Sequence, residues 1–247
     1  LHGYTDLGAL LREPDWATLA AADGNRVDVA PADFAPLIPR PGKIICVGLN
    51  YAKHIEEMGH ERPDVPTLFI KFPEALTGAY DDAEVPGFNA ETLDFEGELA
   101  VIVGKQARHV SAADAHEYIA GYSVINDYTQ REYQKRTQQW HQGKSLEKTA
   151  GFGPWLDTEW QPGARITTTL NGETMQDAPT DDLVFTPAKL IEFISHLYPL
   201  QPGDVIATGT PDGVGHARDP KRYLADGDVV RVEIEGLGAI ENTTRIY

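Results

Sequence analysis

Downstream of residue 40 the chain is cut into short apolar runs, each closed by glycine, proline or aspartate, and only one stretch carries a full helical stripe. Runs of that length bury themselves by pairing side by side, so they predict strands. Residues 43–48, 67–72, 98–103 and 121–125 are the clearest, the third ending at Gly104 and the fourth delivering Asn126 and Asp127. Pro202-Gly203-Asp204 and Asp226-Gly227-Asp228 each set a turn before a β-branched run, which predicts a closing all-β segment. Helices are fewer. Residues 50–59 read as a short helix closed by Gly59, and Ser111 to Asp114 form a capping pattern opening a helix toward Ile119. Thr186-Pro187 starts the striped helix, with Leu190, Ile191, Ile194 and Leu197 on one face. The predicted fold class is α+β and β-rich, not an alternating βαβ wind.

The 247 residues exceed the usual ~150 of one domain, and a hydrophobic share of 41% supplies a core. The first forty residues are poorly periodic and end in Pro31, Pro36, Pro39 and Pro41, so a small N-terminal region and linker (1–38) is expected before a main domain (39–247). A net charge of −17 repels nucleic-acid phosphates and anionic membranes, which argues against either as a partner. Cys46 stands alone, so neither an internal disulfide nor a thiolate-rich zinc site can form, and a reducing, cytoplasmic setting is expected. The first eleven residues lack the apolar density of a signal segment, and no run approaches ~20 apolar residues. The sequon Asn242-Thr243-Thr244 is read as chance.

Several familiar motifs are incomplete. Gly143-Lys144-Ser145 lacks the glycine five positions earlier that a phosphate loop needs, since Gln138 stands there. Gly213-Val214-Gly215 has Arg218 in place of the third dinucleotide-binding glycine. G-x-S-x-G and H-E-x-x-H are both missing, and the eight histidines are scattered without metal spacing.

The informative run is LDFEGELAVIV, residues 93–103. In a strand Glu96 and Glu98 share one face while Phe95, Leu99 and Val101 take the other. By spacing alone a solvated polar face is the better account of that alternation. If buried together, however, the two carboxylates would repel until a proton or a hard divalent ion relieved them, so the pair points to Mg²⁺ or Mn²⁺. Asp127 at a strand end is either a helix cap or a third ligand; Thr129 and Glu132 already match a capping box, which favours the ligand. A triad with open coordination positions suits a 2-oxo acid chelating through its carboxylate and keto oxygens. Arg131 and Gln134, at i and i+3, share a face that is either solvated or holds an anion or carbonyl. His54 and Glu57 have the same spacing; they form either a surface contact or a pair in which the carboxylate makes the imidazole basic enough to activate water. Gly59 and the loop beyond it would let this helix act as a lid.

Together these segments resemble the fumarylacetoacetate hydrolase family over residues 40–247: VGLNYAKHIEEMG, LDFEGELAVIVG, NDYTQREYQ, GKSLEKTAGFGPWL and PGDVIATGTPDGVG, in that order. The resemblance implies a roll of mixed β-sheets with a small N-terminal domain, usually a homodimer. It implies Glu96, Glu98 and Asp127 as metal ligands and His54 with Glu57 as the water-activating lid pair. Lys144 would stabilise enolate charge, Arg131 and Gln134 would hold substrate, Thr210 would meet its carboxylate, and Lys71 would stand at the pocket. Glu147 replaces a common aspartate and takes no role. The implied activity is hydrolysis of a C–C bond in a 2,4-dioxo acid of acylpyruvate type, giving pyruvate and a carboxylic acid. The alternative is decarboxylation of oxaloacetate, or isomerisation and decarboxylation of a 2-oxo dicarboxylic acid from aromatic catabolism. A noncatalytic binding protein retaining the fold is a weaker reading, because the catalytic set is complete.

Overall fold

The computed structural model describes residues 3–21 and 33–247; Pro31 of the expected linker lies outside them. Its centre is a seven-stranded mixed sheet in the order Thr67–Lys71, Ile44–Gly48, Val205–Ala207, Gly97–Val103, Ile119–Asn126, Ala150–Asp157, Leu76–Thr77. The pairs 44–48 with 205–207 and 76–77 with 150–157 are parallel, and the others antiparallel. A five-stranded sheet follows the order Glu173–Pro179, Arg165–Leu170, Val229–Ile234, Gly238–Ile246, Ala83–Val85, and Leu93–Asp94 pairs with Thr129–Gln130. The β-rich expectation holds, including the closing strands after both Asp-Gly-type turns.

Alternation explains how the sheets pack. Ile45, Val47, Leu99, Val101 and Val124 point to one side of the central sheet, where Ile166, Leu170, Val230 and Val232 of the second sheet and Leu190, Ile191 and Ile194 of helix Pro187–Leu197 meet them. Their alternates Ile44, Cys46, Ala100, Ile102 and Val205 point the other way, onto Leu11 and Ile38. Each fully buried aliphatic side chain contributes about 1.5–3 kcal/mol, so the sheet is anchored on both faces. The N-terminal helix Leu7–Leu11, capped by Asp6 through Ala9 N (2.8 Å), is thus packed on the sheet, and Trp16 Nε1 donates to Gly104 O at 3.1 Å. No helix of the described residues is long and apolar enough to cross a membrane.

Two local expectations fail. The Ser111 hydroxyl donates to Asp114 Oδ2 (2.8 Å) and accepts from Asp114 N, closing a turn; only a 3₁₀ turn, Ala115–Tyr118, follows before the chain joins the sheet at Ile119. Leu197 of the predicted apolar stripe is 54% exposed, because the helix's last turn runs past the core.

Candidate active site and metal centre

Strands Gly97–Val103 and Ile119–Asn126 are antiparallel neighbours with Gly97 opposite Asn126. Their ends therefore bring the three predicted acids together. Asp127 N donates to Glu96 O (2.8 Å), and Glu96 N donates to Asn126 Oδ1 (3.0 Å). One oxygen from each of Glu96, Glu98 and Asp127 lies within 4.8 Å of the others. Glu96 precedes the strand instead of belonging to it, but at 5% and 1% exposure Glu96 and Glu98 do not form a solvated face.

Two of the three carboxylates are compensated. Lys144 Nζ lies 2.5 Å from Glu96 Oε2 and 2.8 Å from Asp127 Oδ2, Arg131 Nη1 lies 2.6 Å from Glu96 Oε1, and Lys71 Nζ lies 2.9 Å from Asp127 Oδ1. Burial alone would raise the Glu96 pKa, but Lys144 and Arg131 bring it down to about 2. Among the described residues Glu98 receives only the N–H of Gly209 (2.8 Å), and burial together with the neighbouring Asp127 and Glu96 holds its pKa well above the usual carboxylate value. A buried carboxyl whose charged form is disfavoured for want of positive charge, beside two acids paired with lysine and arginine, is a donor set that fits a hard divalent cation. Glu96, Glu98 and Asp127 are the residues that would hold it.

Glu96 and Glu98 open onto a cavity of about 250 Å³ whose wall includes His54, Met58, His60, Phe69, Arg131, Gln134, Lys135, Trp140, Lys144 and Thr210, with Asp127 buried behind them. His54 Nδ1 stands 3.0 Å from Glu57 Oε2, so the carboxylate accepts the Nδ1 proton and Nε2 remains free to move one. Glu57 Oε1 is itself held by Gly213 N at 2.9 Å. Gly213 must be glycine: its φ is +100°, and a Cβ would lie 2.0 Å from Met175 O. The start of helix Ala52–Glu57 is pinned, because Asn50 bonds Phe185 N, Phe185 O and Thr208 O, and Tyr51 and Ile55 are buried.

Three expected substrate contacts are otherwise engaged. Lys71 is fully buried behind the triad, where its ammonium donates to the carbonyls of Tyr128 (3.3 Å) and Lys144 and pairs with Asp127, so it braces the site without reaching the cavity. The Thr210 hydroxyl gives its proton to Gly97 O (3.0 Å) and accepts from Gln176 Nε2 (2.7 Å), leaving none for a carboxylate. Arg131 donates from Nε to Asp94 and from Nη1 to Gln134 (3.2 Å), with Nη1 paired to Glu96 and Nη2 2.8 Å from Asp94, so its guanidinium is held against these side chains. The Thr129–Glu132 capping box does not form either. Thr129 is in the short strand and donates to Asp127 O, while Gln130 caps helix Arg131–Lys135 through Tyr133 N.

Residues that the motifs did not single out complete the frame. Asp94 accepts from Arg131, Phe95 N, Gly215 N and His216 N, tying the acidic run to the Pro211–Arg218 turn. The signal was present, since Asp94 has the same period-two phase as Glu96 and Glu98. Gln176 accepts from Gly97 N (3.0 Å) and donates to Thr210 and Pro211 O; as a single strand glutamine it carried no signal.

The family model described as fumarylacetoacetate (FAA) hydrolase C-terminal matches residues 43–245. The chain is 41% identical over 214 residues to oxaloacetate tautomerase Fahd2a, mitochondrial, of Rattus norvegicus, covering 85% of this chain and 68% of that one. Among solved structures it resembles a 5-carboxymethyl-2-hydroxymuconate delta-isomerase from Mycobacterium smegmatis (TM-score 0.81, 35% identity, 91% and 86% of the two chains). It also resembles a fumarylacetoacetate hydrolase from Exiguobacterium antarcticum (TM-score 0.81, 37% identity, 96% and 88%).

Proposed function

The chain belongs to the fumarylacetoacetate hydrolase family, and on that premise we propose a divalent-metal-dependent enzyme that moves a proton at the carbon beside the keto group of a 2-oxo acid, its leading reaction being the enol–keto tautomerisation of oxaloacetate. The observation that carries this reading is the convergence of Glu96, Glu98, Lys144 and His54 on one cavity, with Asp127 grouped with the two glutamates and Glu57 holding the imidazole. The similarity to a tautomerase and an isomerase supports proton movement ahead of the C–C hydrolysis expected from the motifs.

A bound Mg²⁺ or Mn²⁺ supplies Lewis-acid polarisation of the keto oxygen. Ketonisation then requires a proton delivered to C3 and one withdrawn from the enol hydroxyl. His54 Nε2 is the group that exchanges a proton with the substrate, while Glu57 holds Nδ1–H and stabilises the imidazolium. The Lys144 ammonium lies beside the acids as fixed positive charge, which stabilises negative charge on the enol oxygen without reorganisation.

The His54–Glu57 geometry favours a second reading. The same imidazole can take a proton from water, which then attacks the distal carbonyl of a 2,4-dioxo acid and releases pyruvate and a carboxylic acid. A homodimer belongs to this proposal and is read by sedimentation.

One experiment separates the readings. The protein is given Mg²⁺ or Mn²⁺ and either oxaloacetate or a simple acylpyruvate, before and after chelation. Chelator-sensitive loss of the enol absorbance of oxaloacetate without pyruvate release supports the tautomerase. Pyruvate from the acylpyruvate transfers the assignment to hydrolysis, and pyruvate with CO₂ from oxaloacetate transfers it to decarboxylation. No turnover with either metal removes all three.

A further inference from the structure

The cavity wall carries three long cations, and two are already spent. Arg131 is divided among Asp94, Glu96 and Gln134. Lys144 lies between Glu96 and Asp127, with the Phe69 ring 5.0 Å away. Lys135, at the end of helix Arg131–Lys135 and next to Gln134, differs. Among the described residues its ammonium has an imidazole, His216 Nε2, as its partner instead of a carboxylate. That imidazole is held on its other side by the Tyr223 hydroxyl, 2.6 Å from Nδ1. The turn carrying it is fixed by Asp94, which accepts from the N–H groups of Gly215 and His216 at 2.8 and 2.9 Å.

The electrostatics favour an anion at this point. Burial, with Lys135, Arg131 and Lys221 nearby, lowers the His216 pKa to about 4, so the ring is neutral at pH 7 and accepts the lysine N–H. Burial, Lys221 and Arg131 also lower the Lys135 pKa. The ammonium is therefore held at the cavity by a neutral acceptor, repelled by its cationic neighbours, and left with two N–H donors. A positive group in that state is stabilised by a negative ligand.

We propose that Lys135, positioned by His216 and Tyr223, is the specificity-determining residue that binds a second carboxylate of the substrate, so that the cavity selects 2-oxo diacids over 2-oxo monoacids. The inference rests on the 2-oxo acid reading above and adds the recognition of the distal group. The acids take the 2-oxo acid head through their cation, and Lys135, on the same cavity wall, takes the second carboxylate.

The test is a binding measurement with ligands that cannot tautomerise. Mg²⁺-loaded protein is titrated calorimetrically with 3,3-difluorooxaloacetate and with 3,3-difluoro-2-oxobutanoate, neither of which has a C3 hydrogen to enolise. A charge-assisted hydrogen bond is worth about 1.5 kcal/mol or more, so the diacid should bind about tenfold tighter or better. Lys135→Met should abolish that preference while leaving monoacid affinity unchanged, and Lys135→Arg should retain it. Lys135 is exposed, so the methionine variant should fold, as circular dichroism would show. Equal binding of both ligands to the unaltered protein, or a diacid preference that survives Lys135→Met, overturns the inference and leaves the 2-oxo acid site standing. Binding of neither ligand overturns the reading beneath it.

Discussion

Glu98 makes metal binding a proton-releasing event. In the metal-free protein burial, Asp127 and Glu96 hold its carboxyl well above the usual value, so below that raised pKa the folded chain carries the proton. Glu96, at about 2, is already ionised. A metal ligand must be ionised, so Mg²⁺ should displace one proton, and apparent affinity should rise about tenfold per pH unit, or 1.36 kcal/mol. That dependence holds below the raised pKa and flattens above it, whereas the window between the ordinary carboxylate pKa of 4.5 and the raised one governs folding. The sign for folding is opposite. As pH rises above 4.5 the unfolded chain loses this proton and the folded chain keeps it, so metal-free stability falls across the window and Mg²⁺ restores it. Calorimetric titration with Mg²⁺ at a series of pH values from 4.5 upward, each in two buffers of different ionisation heat, counts the released proton. Glu98→Gln, an isostere of the protonated form, should keep the metal-free melting temperature while weakening Mg²⁺ binding and ending the release. Proton release near zero in the unaltered protein, or full release in the variant, would refute the argument.

Three further outcomes follow from the buried network. Lys71→Met leaves Asp127 Oδ1 and two buried carbonyls without their cation and should cost about 3–5 kcal/mol in chemical denaturation; an unchanged midpoint would contradict its bracing role. Asp94→Ala removes the acceptor shared by Arg131 and three backbone N–H groups and should destabilise the chain by a similar ~3–5 kcal/mol, with a loss that remains in saturating Mg²⁺. Gly213→Ala displaces the N–H that holds Glu57, so kcat should fall by up to about a hundredfold with Mg²⁺ affinity retained; a parallel loss of metal binding would show that the turn supports the triad instead.

The strands could be read because their signal is local. Alternating apolar residues and turn punctuation at Gly104, Gly203 and Gly227 set strand ends without knowledge of partners. The triad was half legible: the phase of Glu96 and Glu98 is a property of one segment, whereas the approach of Asp127 depends on the Gly97–Asn126 register. The errors arose where a donor had two possible partners. Thr129 matches a capping box but is claimed by strand pairing, and Ser111 matches a cap but satisfies itself on Asp114. The same competition explains Arg131 and Thr210, whose donors are taken by Asp94, Glu96 and Gly97 through contacts distant in sequence. Lys71 carried no phase or motif that could distinguish a buried brace from a pocket residue. Lys135 went unnoticed because a lone helical lysine is ordinary until its neighbours are known.

The central claim is that three buried carboxylates hold the cation on which the 2-oxo acid is bound. Crystals grown with Mn²⁺ and oxalate, with anomalous diffraction measured at the manganese edge, test it most directly. The account predicts one strong anomalous peak at about 2.0–2.3 Å from an oxygen of each of Glu96, Glu98 and Asp127, with oxalate completing the coordination toward His54. An anomalous map with no peak among these residues, or with manganese bound elsewhere in the cavity, would contradict it.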